Sequence, residues 1–68
     1  MDAQKIGKRL RMLRTDRGQS MAYVARKLGI SYSAMASYEH GERIPRDHLK
    51  MRLAEHYGVS VADIFFAE

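Results

Sequence analysis

The cationic side chains are gathered at one end of the sequence. Within the first seventeen residues, Lys5, Lys8, Arg9, Arg11, Arg14 and Arg17 are opposed only by Asp2 and Asp16, so this stretch carries the whole net charge of +4. Cations at this density either solvate a helix face or grip anionic oxygens through charge-assisted hydrogen bonds, and in a basic chain the two readings stand level. A second group, Tyr32, Ser33, Ala36, Ser37 and His40, falls on one side of a helical wheel and offers hydroxyls, a methyl and an imidazole. Such side chains make single hydrogen bonds and apolar contacts to base edges, or hold bridging water. His40, His48 and His56 are spaced by eight and eight, without the i, i+4 pairing of a helical metal site, and the chain has no cysteine. No metal or other cofactor is therefore expected. An enzyme is not expected either, since no nucleophile–base pair, phosphate-cradling glycine loop or carboxylate cluster is present.

These groups must be positioned by helices. Ile6, Leu10 and Leu13 recur at i, i+4 and i+7, predicting a first helix over about Asp2 to Arg17, stopped by Gly18. Ser20 caps a second helix with Val24, Ala25 and Leu28 on one face and Gly29 at its end. Ser31 caps a third, with Met35 and Tyr38 inward and Gly41 closing it. After the basic loop Glu42-Arg43-Ile44-Pro45-Arg46, Asp47 is the expected cap of a fourth helix, with Leu49, Leu53, Ala54 and Tyr57 inward and Gly58 after it. Ser60 and Asp63 have capping-box spacing, and Val59 and Ile64 stand where a hydrophobic staple would, which starts a short fifth helix. The expected class is all-α, and 68 residues make one domain, 1–68. No run approaches the ~20 apolar residues of a membrane span, so no membrane partner and a cytoplasmic location are expected.

The second and third helices carry the functional signal. Two helices joined by three or four residues must cross at ~90–120°, which requires a small residue at the crossing and a glycine in the turn. Ala25 and Gly29 meet those needs, and Ile30 drops from the turn into the core. The third helix then protrudes, and a protruding helix fits the ~12 Å major groove of DNA. Ser20 and Ser31, as caps, also present helix N-termini whose amides can donate to phosphate oxygens.

Taken in order, the residues resemble the bacterial and phage repressors of the Cro/CI type, the xenobiotic-response-element family. The matching series is Ile6-Gly7-Lys8-Arg9-Leu10-Arg11, Leu13-Arg14, Ser20, Val24-Ala25 and Lys27-Leu28-Gly29-Ile30-Ser31, followed by Tyr38-Glu39-His40-Gly41, Pro45, Leu53-Ala54, Tyr57-Gly58-Val59-Ser60 and Asp63-Ile64-Phe65. The resemblance implies a compact five-helix bundle of the lambda-repressor-like DNA-binding type, with the helix-turn-helix unit at 20–41. It implies a transcriptional regulator, a repressor in most such proteins, bound as a homodimer to a double-stranded operator of two-fold symmetry. It also implies that Ser33 and Ser37 read bases, that Tyr32 touches bases or phosphates, and that Arg46 approaches the minor groove. Arg14 and Glu39 match an ion pair linking helices 1 and 3, for which the planar arginine fork is suited; a solvent-exposed pair of little worth is the other reading.

Two departures from the family pattern shape the expected mechanism. Met21 stands where a phosphate-gripping Gln is common, so a contact there must come from the backbone or from neighbours. The outward face of the third helix carries no Arg, Lys, Asn or Gln, the side chains that pair bidentately with guanine or adenine. Affinity is therefore expected to rest on phosphate contacts from Lys8, Arg9, Arg11, Arg43 and Arg46, with Ser20, Met21, Ser31 and His40 near the backbone. Specificity would lean on a narrow A·T-rich minor groove met by Arg43 or Arg46. Ile64, Phe65 and Phe66 form the expected dimer patch, since a core this small has little room for both phenylalanines. The rival reading is a protein-interaction module, such as an antitoxin or anti-repressor component, in which a regulatory protein is the partner.

Overall fold

In the computed structural model, which describes residues 1–67, the chain forms five helical elements. α1 spans Ala3–Asp16, α2 Met21–Leu28, α3 Tyr32–Glu39 and α4 Asp47–Tyr57; α5, Ala62–Phe66, is a short segment with the wider π-type turn. No strand occurs among the described residues, and none of their helices is long and apolar enough to cross a membrane.

The caps explain most boundaries. Asp2 stands before α1 rather than inside it, and its carboxylate accepts from Gln4 N at 2.9 Å and Lys5 N at 3.2 Å. The bond from Lys5 N is the main reason its carboxyl sits below the usual carboxylate range. The Ser20 and Ser31 hydroxyls each accept from an amide three residues on, at 3.0 Å from Tyr23 N and Ala34 N. Gly29 closes α2 at φ +69°, a left-handed conformation that costs a residue with a Cβ, and Ile30 N donates back to Ala25 O at 3.0 Å. The fourth start differs from expectation. Arg46, not Asp47, is the capping residue, and it makes no side-chain cap bond. Asp47 lies one position inside, where a carboxylate still favours the helix dipole, and it pairs with Lys50 at 3.2 Å. Ser60 and Asp63 do exchange reciprocal bonds, Asp63 N to Ser60 Oγ at 3.0 Å and Ser60 N to Asp63 Oδ2 at 3.3 Å.

The core joins Ile6 and Leu10 of α1, Val24, Ala25 and Leu28 of α2, Met35 and Tyr38 of α3, and Leu53, Ala54 and Tyr57 of α4, with Ile64 and Phe65 beneath. Full burial of each large apolar side chain contributes about 1.5–3 kcal/mol relative to exposure. α1 lies so close to the end of α3 that a Cβ on Gly7 would stand 2.4 Å from Glu39 O and 2.8 Å from Tyr38 O. A glycine in mid-helix is thus required by packing rather than by backbone angles.

Candidate functional site

The turn between α2 and α3 leaves the first turn of the third helix open to solvent, while the rest of the helix packs on the bundle. Tyr32 opens it, 56% exposed, with Ser33 exposed beside it, while Ala36 and Ser37 on the next turn are half-buried. Ser37 is partly covered because the following loop folds back onto it. Its carbonyl accepts from Glu42 N at 3.0 Å and Arg43 N at 3.4 Å. His40 ends the helix in solvent. Four of the hydroxyl and methyl side chains expected to face bases therefore share one side of α3, with its first turn more open than its second.

The basic groups divide sharply. The side chains of Arg46, Lys8 and Arg11 are exposed, with no hydrogen-bonded partner among the described residues. Arg43 rests on Tyr38, with its guanidinium carbon 5.1 Å from the ring centroid and Nη2 donating to the phenol oxygen at 3.0 Å. Tyr38, Arg43, Ile44, Arg46, His48 and Leu49 line one cleft of about 560 Å³ beside the end of α3. Pro45 is buried, fixing the loop between these cations to the body of the protein.

Arg9 does not belong with the outward cations, contrary to expectation. Its fork donates to Ile64 O at 2.9 Å and Ala67 O at 2.7 Å, because α5 ends beside α1 and leaves carbonyls without helical partners. The Met21 side chain packs against the core from the first turn of α2, in keeping with the expectation that it grips no phosphate itself. Ile64 and Phe65 are fully buried in the chain's own core, which removes both from a dimer patch and leaves Phe66, 60% exposed. On the short α5 turn, Ile64 and Phe65 face the core, and the next position, Phe66, is carried round to solvent.

Arg14 and Glu39 meet across α1 and α3. Arg14 Nε and Nη2 donate to the two carboxylate oxygens at 2.7 and 3.0 Å, and Nη1 donates to Gln19 O at 2.8 Å. Glu39 is only 7% exposed. Its hydrogen bond holds the Arg14 guanidinium more firmly protonated than usual. One side chain thus joins α1, the last turn of α3 and the loop entering α2, the three pieces whose relation sets the angle of the third helix.

Two further arginines have the same kind of role and were not read from the sequence. Arg17 donates to Leu13 O at 2.9 Å and Tyr57 O at 2.6 Å, tying the ends of α1 and α4. Arg52 donates to Leu28 O at 2.6 Å, closing the end of α2 from α4. Arg17 ends the predicted first helix, where cations meet orphan carbonyls, so a signal for it existed; Arg52 carries none, because its acceptor lies twenty-four residues away. His56 Nε2 lies 2.9 Å from Gln19 Oε1, and partial burial, with Lys27 and Arg17 nearby, lowers its pKa below the ordinary 6.5. Burial, aided by Glu39, pushes the Tyr57 phenol up to about 12. The Tyr57 hydroxyl is the one buried side-chain polar atom without a hydrogen-bond partner among the described residues. No group of three or more potential metal ligands occurs among those residues.

Comparison with known proteins places this arrangement. Residues 5–64 match the family described as helix-turn-helix domain. Among solved structures, the chain is similar to the S. venezulae BldD DNA-binding domain, with 32% sequence identity and a TM-score of 0.79 over 93% of this chain and 94% of that one. No curated protein sequence matches significantly.

Proposed function

The chain belongs to the helix-turn-helix domain family, and from that premise we propose that it is a DNA-binding transcriptional regulator that places α3 in the major groove. The observation that carries this reading is the open first turn of α3, Tyr32 and Ser33, flanked by two serine-capped helix N-termini and by the exposed cation Arg46. The similar solved structure is a DNA-binding domain by its own description, and the match spans nearly the whole of both chains. In this role the protein has no chemistry to perform; it holds a duplex by hydrogen bonds and charge.

In this reading the contacts are shared between base edges and the phosphate backbone. Tyr32, Ser33, Ala36 and Ser37 meet base edges through single hydrogen bonds, apolar contacts with thymine methyls and bridging water. Arg43, Arg46, Lys8 and Arg11 are the cations available for phosphates or the minor groove, with the His40 ring and the backbone amides behind Ser20 and Ser31 as further polar contacts. Direct readout by such a face is modest, so the sequence-dependent shape of the operator carries much of the specificity, with an arginine of the loop favouring a narrow A·T-rich minor groove. The protein acts as a repressor by occupying its operator. It does so as a homodimer through a patch centred on Phe66, which would set two recognition helices about 34 Å apart, one turn of DNA.

Selection of bound duplexes from a random pool, followed by band shifts at two salt concentrations, tests the reading. The expected result is an inverted-repeat site whose affinity falls steeply with salt. Tyr32→Ala should weaken that complex by about 1–3 kcal/mol and blur one base position. A chain that retains no duplex at low salt would overturn it. Sedimentation of the free protein tests the dimer, which Phe66→Glu should dissociate; a monomer at high micromolar concentration, unaltered by that change, would remove it.

A further inference from the structure

We propose that Tyr38 is a positioning residue for DNA binding, its buried ring and outward hydroxyl holding Arg43 in the orientation it uses on the duplex. The proposal rests on the DNA-binding reading above and adds a residue to it that touches no DNA. Tyr38 is only 7% exposed and belongs to the core, so its ring is held by the packing of the cluster. Its hydroxyl emerges at the wall of the cleft that Arg43, Arg46 and His48 share. There it accepts from Arg43 Nη2 at 3.0 Å, while the guanidinium carbon lies 5.1 Å from the ring centroid.

The loop is anchored at its other end by α3 as well. Ser37 O accepts from both Glu42 N and Arg43 N, so the backbone of Arg43 hangs from a residue of the recognition face itself. With backbone and guanidinium both held by consecutive residues of α3, the position of Arg43 relative to that face is set before any ligand arrives. A guanidinium has five N–H donors, and Tyr38 occupies one, leaving the rest of the fork for a phosphodiester. The ordering of a long side chain is then already complete in the free protein, which is how preorganisation raises affinity without a new contact. Arg46, three residues on, has no such support and is the natural contrast.

Thermal melts and titrations with a duplex selected from a random pool test this in four variants. Tyr38→Phe keeps the ring and removes the hydroxyl. It should weaken binding about three- to tenfold, the scale of one hydrogen bond, while leaving the salt slope and the melting temperature close to wild type. Arg43→Ala should weaken binding further and reduce the salt slope by about one unit. In the Arg43→Ala background Tyr38→Phe should have no additional effect, which a merely structural role for the hydroxyl would not produce. Arg43→Lys keeps the charge but loses the fork, and should bind no better than Tyr38→Phe. Wild-type affinity in Tyr38→Phe, or an undiminished effect of that change when Arg43 is absent, overturns the proposal. Failure of the wild-type chain to bind any duplex overturns the DNA reading instead, and this inference falls with it.

Discussion

In α1 and the residue after it, Arg9, Arg14 and Arg17 turn their forks onto carbonyls and a buried carboxylate of the same chain. In the loop before α4, the side chain of Arg46 meets no partner among the described residues and that of Arg43 leans only on Tyr38. The first region holds the net positive charge of the sequence, yet half of its six cations are spent on its own chain, leaving Lys5, Lys8 and Arg11 outward. Charge counted along a sequence is therefore a poor guide to which surface attracts phosphate. What decides is whether an arginine lies near a helix end with orphan carbonyls, and three of those ends converge around α1.

The strongest way to break this contrast is to disturb the packing that makes the first region internal. Gly7→Ala should destabilise the fold by about 3 kcal/mol or more, since the new Cβ meets backbone oxygens that cannot move without shifting α3. Chemical denaturation would measure it, and a core of this size has little more than ~3–5 kcal/mol to lose. Glu39→Ala comes next, at about 3 kcal/mol, because it strands the Arg14 fork in a largely buried place. A double-mutant cycle with Arg14→Ala should return a coupling well above the ~1 kcal/mol of surface pairs.

A sharper comparison sets Arg9 against Arg46. Arg9→Ala should cost about 1–2 kcal/mol of stability through two lost carbonyl bonds and leave the salt slope of DNA binding unchanged. Arg46→Ala should do the reverse, shifting stability by less than about 0.5 kcal/mol and flattening the salt slope by about one unit. If the two variants behaved alike, the division between inward and outward arginines would be wrong.

The smallest effect concerns His56, beside the entry to α2. Its pKa is depressed in the folded chain below the ordinary 6.5, so on acidification the unfolded chain takes the proton first. Stability should therefore be unaffected by this group above pH 6.5 and fall as pH drops below it, down to the folded value. His56→Gln should flatten that part of the melting curve against pH, while Gln19 can still be reached by an amide.

Much of the fold was legible because its signals are local. Ser20, Ser31, Gly29 and the Ser60–Asp63 spacing act within one turn of chain, and the structure places helix boundaries beside each of them. The start of α4 misled for a local reason too, since a carboxylate suits both the cap and the first turn, and only the backbone at Arg46 distinguishes them. The site was half legible. The outward side of α3 follows from helical periodicity, but the fate of Arg9 depended on where α5 would end, and the support under Arg43 on where the loop would fold.

By itself the sequence determined the class, the order of helices, the short crossing of α2 and α3, and the inward sets built on Ile6, Leu10, Val24 and Leu53. These rest on period, caps and small residues, which are properties of neighbours along the chain. Only the tertiary structure decided which cations are available to a partner, which phenylalanine is covered, and which hydroxyl steadies the loop. Those outcomes depend on groups from 5 to 58 residues apart meeting within hydrogen-bond reach, and short-range pattern contains no measure of that distance.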